Sequence, residues 1–229
     1  MINKNRLQKI IILVSAFFVA FMAVLSIVIK IMTGLNGSRN EDNIKRLDYA
    51  LYDIDSPPVQ EMLLTQNVNS RPGIEIGNIN GVVIHYTANP GTDAEANRNY
   101  FESRKDEPDT YANKVSSHYI IGLDGTIIQC IPLNELAYAS NNRNSDTISI
   151  ECCHPGKKGK FSTDTYKSLV HLTAWLCVKY GLDKDSIIRH YDITGKMCPL
   201  YYVNNEKAWN KLKNDIWDYV LSHKKADGN

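Results

Sequence analysis

Apolar positions fall into two regimes along this chain. From Ile10 to Ile29 only Ser15 and Ser26 are polar and no residue is charged. A helix of that length would span roughly 30 Å, the thickness of a bilayer's hydrocarbon core. Lys4, Arg6 and Lys9 precede the run and Lys30 ends it. The run is longer than the roughly 7–15 apolar residues of a secretory signal, and no Ala-x-Ala-like cleavage site follows. The expectation is a short basic tail over 1–9 and one transmembrane helix over 10–30; the alternative is a cleaved signal and a secreted protein. The leading basic residues favour a cytoplasmic amino terminus, against a counter-signal from Lys30, Arg39, Lys45 and Arg46 on the far side.

Residues 31–56 are polar and read as a stem. Ile44, Leu47, Leu51 and Ile54 recur at helical spacing, which predicts a short amphipathic helix. Ser56-Pro57-Pro58 ends it and can start another helix over Val59–Leu64, so the folded domain is placed at 57–229. Beyond that point the pattern alternates. Gly81–His85 is a glycine-bounded apolar run, read as a buried strand. Thr92 or Asp93 can cap a helix over Ala94–Ser103. Ser117–Ile121 and Thr126–Ile131 flank Leu123-Asp124-Gly125 as a hairpin, and Thr147–Cys152 reads as a further strand. Ser162 caps a long helix that runs to Tyr180 and stops at Gly181. Ile187–His190 is a last short strand, and Glu206–Ser222 is a helix with Trp209, Leu212, Ile216 and Tyr219 on one face. The fold class expected is α/β: a central mixed β-sheet flanked by about three main helices, preceded by the transmembrane segment.

Composition adds exclusions. With 26 basic and 25 acidic residues the net charge is +1, and no basic run exceeds a pair, so nucleic acid is not the expected partner. Three of the five Phe lie in the amino-terminal run; outside it the chain is polar enough to bring mean hydropathy to −0.31. One hydrophobic segment and one domain large enough for its own core remain.

Candidate chemistry concentrates at the carboxyl ends of expected strands, where α/β sheets place ligands. His85 and His190 sit there, and Cys198 follows His190 by eight residues. Imidazole and thiolate suit zinc, and three protein ligands leave a fourth position open. Taken alone, the same three residues also read as hydrogen-bonded or buried structural side chains.

Four blocks occur in order: GVVIHYTANPG at 81–91, SSHYIIGLDGTIIQ at 116–129, DTISIE at 146–151 and RHYDITGKMCP at 189–199. Together they resemble the zinc-dependent N-acetylmuramoyl-L-alanine amidases of the amidase-2 family, whose fold is shared with peptidoglycan recognition proteins. The resemblance covers roughly 70–220. It implies one Zn2+ per chain held by His85, His190 and Cys198, with Glu151 as general base and Lys196 stabilising the developing oxyanion. It also implies a peptidoglycan substrate, which lies outside the cytoplasmic membrane, so the domain is expected on that side with the membrane as a second partner.

The chain departs from the family pattern in two places. Ser117 stands where some members carry Tyr, and Tyr138-Ala139-Ser140-Asn141 stands where many bacterial members carry Trp-His-Ala-Gly. His118, Tyr86, Tyr138 and His154 are candidates for substrate contact or for support of the ligands, with a structural role as the alternative for the histidines. Cys152 and Cys153 should point to opposite strand faces, and Cys177 should lie in the core. The competing readings are a non-catalytic peptidoglycan-binding module of the same fold, against which the presence of Cys198, Lys196 and Glu151 counts, and a membrane-anchored sensor acting through the stem.

Overall fold

Residues 49–225 are described in this computed structural model. The expected anchor over 10–30, the tail over 1–9 and most of the stem lie outside them. Among the described residues no helix is long and apolar enough to cross a membrane.

The strand expectations rest on β-branched runs, and those runs form a sheet. β1 (Gln60–Glu61), β2 (Gly81–Tyr86), β3 (Tyr119–Ile121), β4 (Ile127–Gln129), β5 (Thr147–Cys152) and β6 (Ile187–Arg189) are ordered β1-β4-β3-β5-β2-β6. The β3–β4 hairpin is antiparallel and every other neighbouring pair is parallel, so the sheet is mixed. Parallel strands buried on both faces read as unbroken apolar runs, which is what Val82, Val83 and Ile84 are.

Three long helices cover the sheet: α1 (Ala94–Ser103), α2 (Thr163–Tyr180) and, last in the chain, α5 (Glu206–Ser222). Between them lie two short ones, α3 (His190–Thr194) and α4 (Leu200–Asn204). Asp93 caps α1 and Ser162 caps α2 through side-chain oxygens that accept from backbone N–H groups. Gly181 ends α2 in the left-handed conformation, φ 65°, that a residue without Cβ adopts at no steric cost.

The period of two along each strand divides the interior. Val82, Ile84, Ile148, Ile150 and Cys152 meet Leu169, Leu172 and Leu176 of α2 and Trp209, Leu212 and Ile216 of α5 in the larger core. Ile120, Ile128, Cys130 and Cys153 point the other way, onto Ala94 and Phe101 of α1. Adjacent Cys152 and Cys153 thus enter different cores, and Cys177 is buried in the larger one. All five cysteines are free and buried.

Two boundaries differ from the sequence reading. Val59–Leu64 is not a helix: Gln60–Glu61 add a strand beside β4, and the Met62 and Leu64 N–H groups donate to the Gln129 and Cys130 carbonyls. Pairing to an open sheet edge outweighs a proline-based helix start. His190 also leaves the strand expected for it and opens α3. Stem residues near the domain pack on it as well, with Ile54 in the larger core and Tyr52 bridged to Lys224.

Candidate metal centre

His85 is the fifth residue of β2 and Glu151 the fifth of β5, paired in register, so both side chains leave the same sheet face. His190 arrives at that sheet end because β6 pairs with β2 and stops one residue earlier. Arg189 anchors the turn: its guanidinium holds Asp192 at 2.8 Å, Glu206 at 2.8 Å and the Tyr202 carbonyl at 3.0 Å. Gly195, φ 76°, then reverses the chain, and the Tyr191 N–H donates to the Cys198 carbonyl at 2.9 Å. That closure carries Cys198 back to His190.

The three expected ligands converge. One donor atom from each of His85, His190 and Cys198 lies within 4.8 Å of the others, and all three residues are buried. Cys198 Sγ is 3.8 Å from His85 Nδ1, and the two imidazole rings meet edge-on with centroids 4.8 Å apart. Tetrahedral sites with bonds of about 2.0–2.3 Å have ligand–ligand separations of roughly 3.3–3.8 Å, so the donor types suit zinc and the His85–Cys198 pair has that spacing, while donors up to 4.8 Å apart would draw in around the ion.

Burial sets the charge states. It pushes the His85 imidazole well below its ordinary value, helped by His190 and Lys196, and takes His190 down to about 4. Both rings are therefore neutral near pH 7 and offer a lone pair. Burial pushes the Cys198 thiol up to about 12, opposed by the Tyr86 backbone N–H and by Lys196. Glu151 is pushed up to about 8 by burial, with Lys196 acting against it. Glu151 Oε1 is 4.0 Å from His85 Nδ1, and its Oε2 is buried with no hydrogen-bond partner.

A cleft of about 820 Å³ opens over this group. Glu151, His85, His190 and Lys196 form one side; Tyr111, Lys114, Tyr138 and Asn142 are on its walls. Tyr138, a candidate for substrate contact or ligand support, lines this cleft, with Lys114 Nζ 5.4 Å from its ring centroid. The other candidates do not line it. His118 is sealed below, where Nδ1 accepts from the Ser149 N–H at 3.0 Å and Nε2 donates to the Glu135 carbonyl at 2.9 Å. Its alternation with Ile120 faces it into the protein, so it is a satisfied structural histidine. His154 is buried, donates from Nδ1 to the Gly156 carbonyl at 2.8 Å, and stacks on Tyr86. Tyr86 does not line the cleft; its ring stacks on His154, and its backbone N–H reaches the Cys198 sulfur. Ser117 is buried, its hydroxyl 2.9 Å from the Ser149 carbonyl.

Two residues not singled out from sequence touch the ligands. Ser140 Oγ is 3.3 Å from His85 Nε2, and Asn141 Oδ1 is 2.8 Å from His190 Nε2. The only signal for them was the departure at 138–141 from the family pattern.

Residues 76–200 match the profile of the amidase-2 family, described as N-acetylmuramoyl-L-alanine amidase. This chain belongs to the amidase-2 family. Among curated amidase-2 relatives, N-acetylmuramoyl-L-alanine amidase CwlL of Bacillus licheniformis is 33% identical over 171 residues, covering 69% of this chain and 46% of that protein. N-acetylmuramoyl-L-alanine amidase BlyA of Bacillus subtilis (strain 168) is 35% identical over 171 residues, covering 66% and 44%. The chain spans less than half the length of these relatives. The XlyA catalytic domain superimposes with a TM-score of 0.57 at 25% identity, covering 70% of this chain and 99% of that one. PlyL does so with a TM-score of 0.59 at 21% identity, covering 76% and 100%, a likeness of fold.

Proposed function

We propose that this chain is a zinc-dependent N-acetylmuramoyl-L-alanine amidase that hydrolyses the amide between the lactyl group of N-acetylmuramic acid and the first L-alanine of the peptidoglycan stem peptide. The observation that carries the reading is the convergence of His85, His190 and Cys198 beside a carboxylate oxygen without a partner. Membership of the amidase-2 family supports the substrate class.

Held by these three side chains, zinc would supply Lewis acidity, polarising the scissile carbonyl and acidifying water. Glu151, ionised once the metal's charge lowers its carboxyl from about 8, would receive the proton of the attacking water at Oε2 and deliver it to the departing alanine nitrogen. Its place on β5, paired with β2, fixes that oxygen against a rigid strand rather than a loop. Lys196, on the exposed turn between α3 and Cys198, brings a positive charge to the carbonyl oxygen, where negative charge develops only in the transition state. The cleft, walled by Tyr111, Lys114 and Tyr138, is of the size that takes a sugar–peptide segment.

The uncharged run Ile10–Ile29 supports a membrane tether with the domain on the wall side. The test is digestion of purified peptidoglycan by the zinc-loaded protein. New alanine amino groups without new reducing sugars are expected; new reducing ends, or no cleavage by fully zinc-loaded protein, would overturn the reading.

A further inference from the structure

We propose that Ser140 and Asn141 are positioning residues: the turn that carries them holds the Nε2 atoms of His85 and His190, so that each imidazole presents Nδ1 to the metal. The proposal rests on the zinc reading above.

The Asn141 hydrogen bond dictates the tautomer of His190, and the surroundings of His85 point the same way. An amide oxygen only accepts, so the 2.8 Å contact from Asn141 Oδ1 requires a hydrogen on His190 Nε2 and leaves Nδ1 bare. In His85, Nε2 is 3.3 Å from Ser140 Oγ, while Nδ1 is the atom nearest both Cys198 Sγ, at 3.8 Å, and Glu151 Oε1, at 4.0 Å. Each ring therefore turns Nε2 to the 140–141 turn, and His85 turns Nδ1 to Cys198.

The turn is itself fixed. Asn144 Oδ1 accepts from the N–H groups of both Ala139 and Ser140. Asn141 sits at φ 54°, in the left-handed region that costs most side chains energy and that Asn tolerates better than most. One strained turn thus serves two ligands that come from β2 and from the start of α3, and a shift of it would rotate both rings together. Outer partners of this kind set ring orientation and tautomer in histidine metal sites.

The measurements are zinc affinity by chelator competition and histidine tautomers by 15N NMR on the metal-free protein. They are made on wild type, Asn141→Gly, Asn141→Asp and Ser140→Ala. Glycine is at ease at positive φ, so Asn141→Gly removes the acceptor without straining the fold. It should weaken zinc binding about tenfold and turn His190 from a single Nε2–H form into a mixture. Asn141→Asp keeps an acceptor oxygen and should restore both readouts, and Ser140→Ala should release His85 in the same way. Wild-type affinity and an unchanged tautomer in Asn141→Gly would overturn the proposal. A wild type that binds no zinc would overturn the metal reading instead, and the tautomers of the metal-free proteins still decide the role of the turn.

Discussion

His85 and Glu151 stand opposite each other in the β2–β5 ladder, with Nδ1 and Oε1 4.0 Å apart. Neither is on a loop. Backbone hydrogen bonds of two buried parallel strands set their separation, so a candidate ligand and a candidate base are held together without reorganisation. Glu151 Oε1 faces the imidazole while Oε2 has no partner, which divides the carboxylate into a held atom and a free one.

Replacing that carboxylate by its isostere separates base chemistry from metal holding. Glu151→Gln should retain stoichiometric zinc and lose about 10²–10⁴ in rate on peptidoglycan, the usual share of general base catalysis. Metal content and rate are measured on the same preparation. A near-normal rate would move the base elsewhere, and loss of zinc would make Glu151 a ligand.

The same substitution has a consequence for stability of the metal-free protein. Burial raises the Glu151 carboxyl to about 8 from an unfolded value of 4.5. A raised acid contributes stability below about pH 4.5, and that contribution is lost as pH rises through 8, because the unfolded chain releases the proton first. Gln has no proton to lose. Metal-free Glu151→Gln should therefore be more stable than wild type at pH 8, on the order of 4 kcal/mol, and the gap should close toward pH 4.5. Thermal or denaturant melts at the two pH values decide it; a gap that is constant with pH would show that Glu151 is not held protonated.

The sheet and its three long helices were legible because their signals are local. Val82–Ile84 is an apolar run of strand length, Ser162 and Gly181 bracket one helix, and the α5 face repeats at Trp209, Leu212 and Ile216. The convergence of His85, His190 and Cys198 was legible only through the family resemblance, since no local spacing brings residue 85 to residue 190; the β2–β6 pairing does that. Val59–Leu64 misled because its strand pairing is supplied by β4, almost seventy positions along the chain (Gln60 with Ile128). The reading of His118 stayed open between a site role and a structural one, and Ser140 went unassigned, for a related reason. A period of two tells which residues share a face but not what covers them, so it could not separate a histidine sealed by Glu135 and Ser149 from a serine touching a ligand.

Cys198 gives metal binding a defined dependence on pH. Its thiol lies up at about 12 without metal, whereas His190 is already neutral above about 4 and His85 lies well below its ordinary value. In Glu151→Gln, which removes the other proton held in the site, one proton, the thiol's, must leave between pH 6 and 8 when a dication binds. Zinc affinity should then rise about tenfold per pH unit, with one proton released per ion, as read by chelator competition and by calorimetry in buffers of different ionisation enthalpy. Cys198→Ser should lose stoichiometric zinc, because a hydroxyl is a poor replacement for a thiolate. A flat affinity across this range would exclude the sulfur from the ligand set.

His118 is the control that distinguishes the site from its foundations. Its imidazole is buried, bonded at both nitrogens, and taken down to about 4 by that burial. A base whose folded value lies below its unfolded 6.5 is fully stabilising above 6.5, and stability is lost as pH falls toward 4, where only the unfolded chain has taken up the proton. The loss attributable to this residue is on the order of 3 kcal/mol, on top of what His85 and His190 contribute in the same window. His118→Gln should lower stability at pH 7.5 by about 1–3 kcal/mol, through the broken Ser149 and Glu135 bonds, and flatten the decline between pH 6.5 and 4. Its zinc affinity should match wild type, because His118 does not line the cleft and its ring nitrogens are bonded to Ser149 and Glu135. A variant that melts like wild type but no longer binds zinc or cuts peptidoglycan would place His118 in the chemistry and not beneath it.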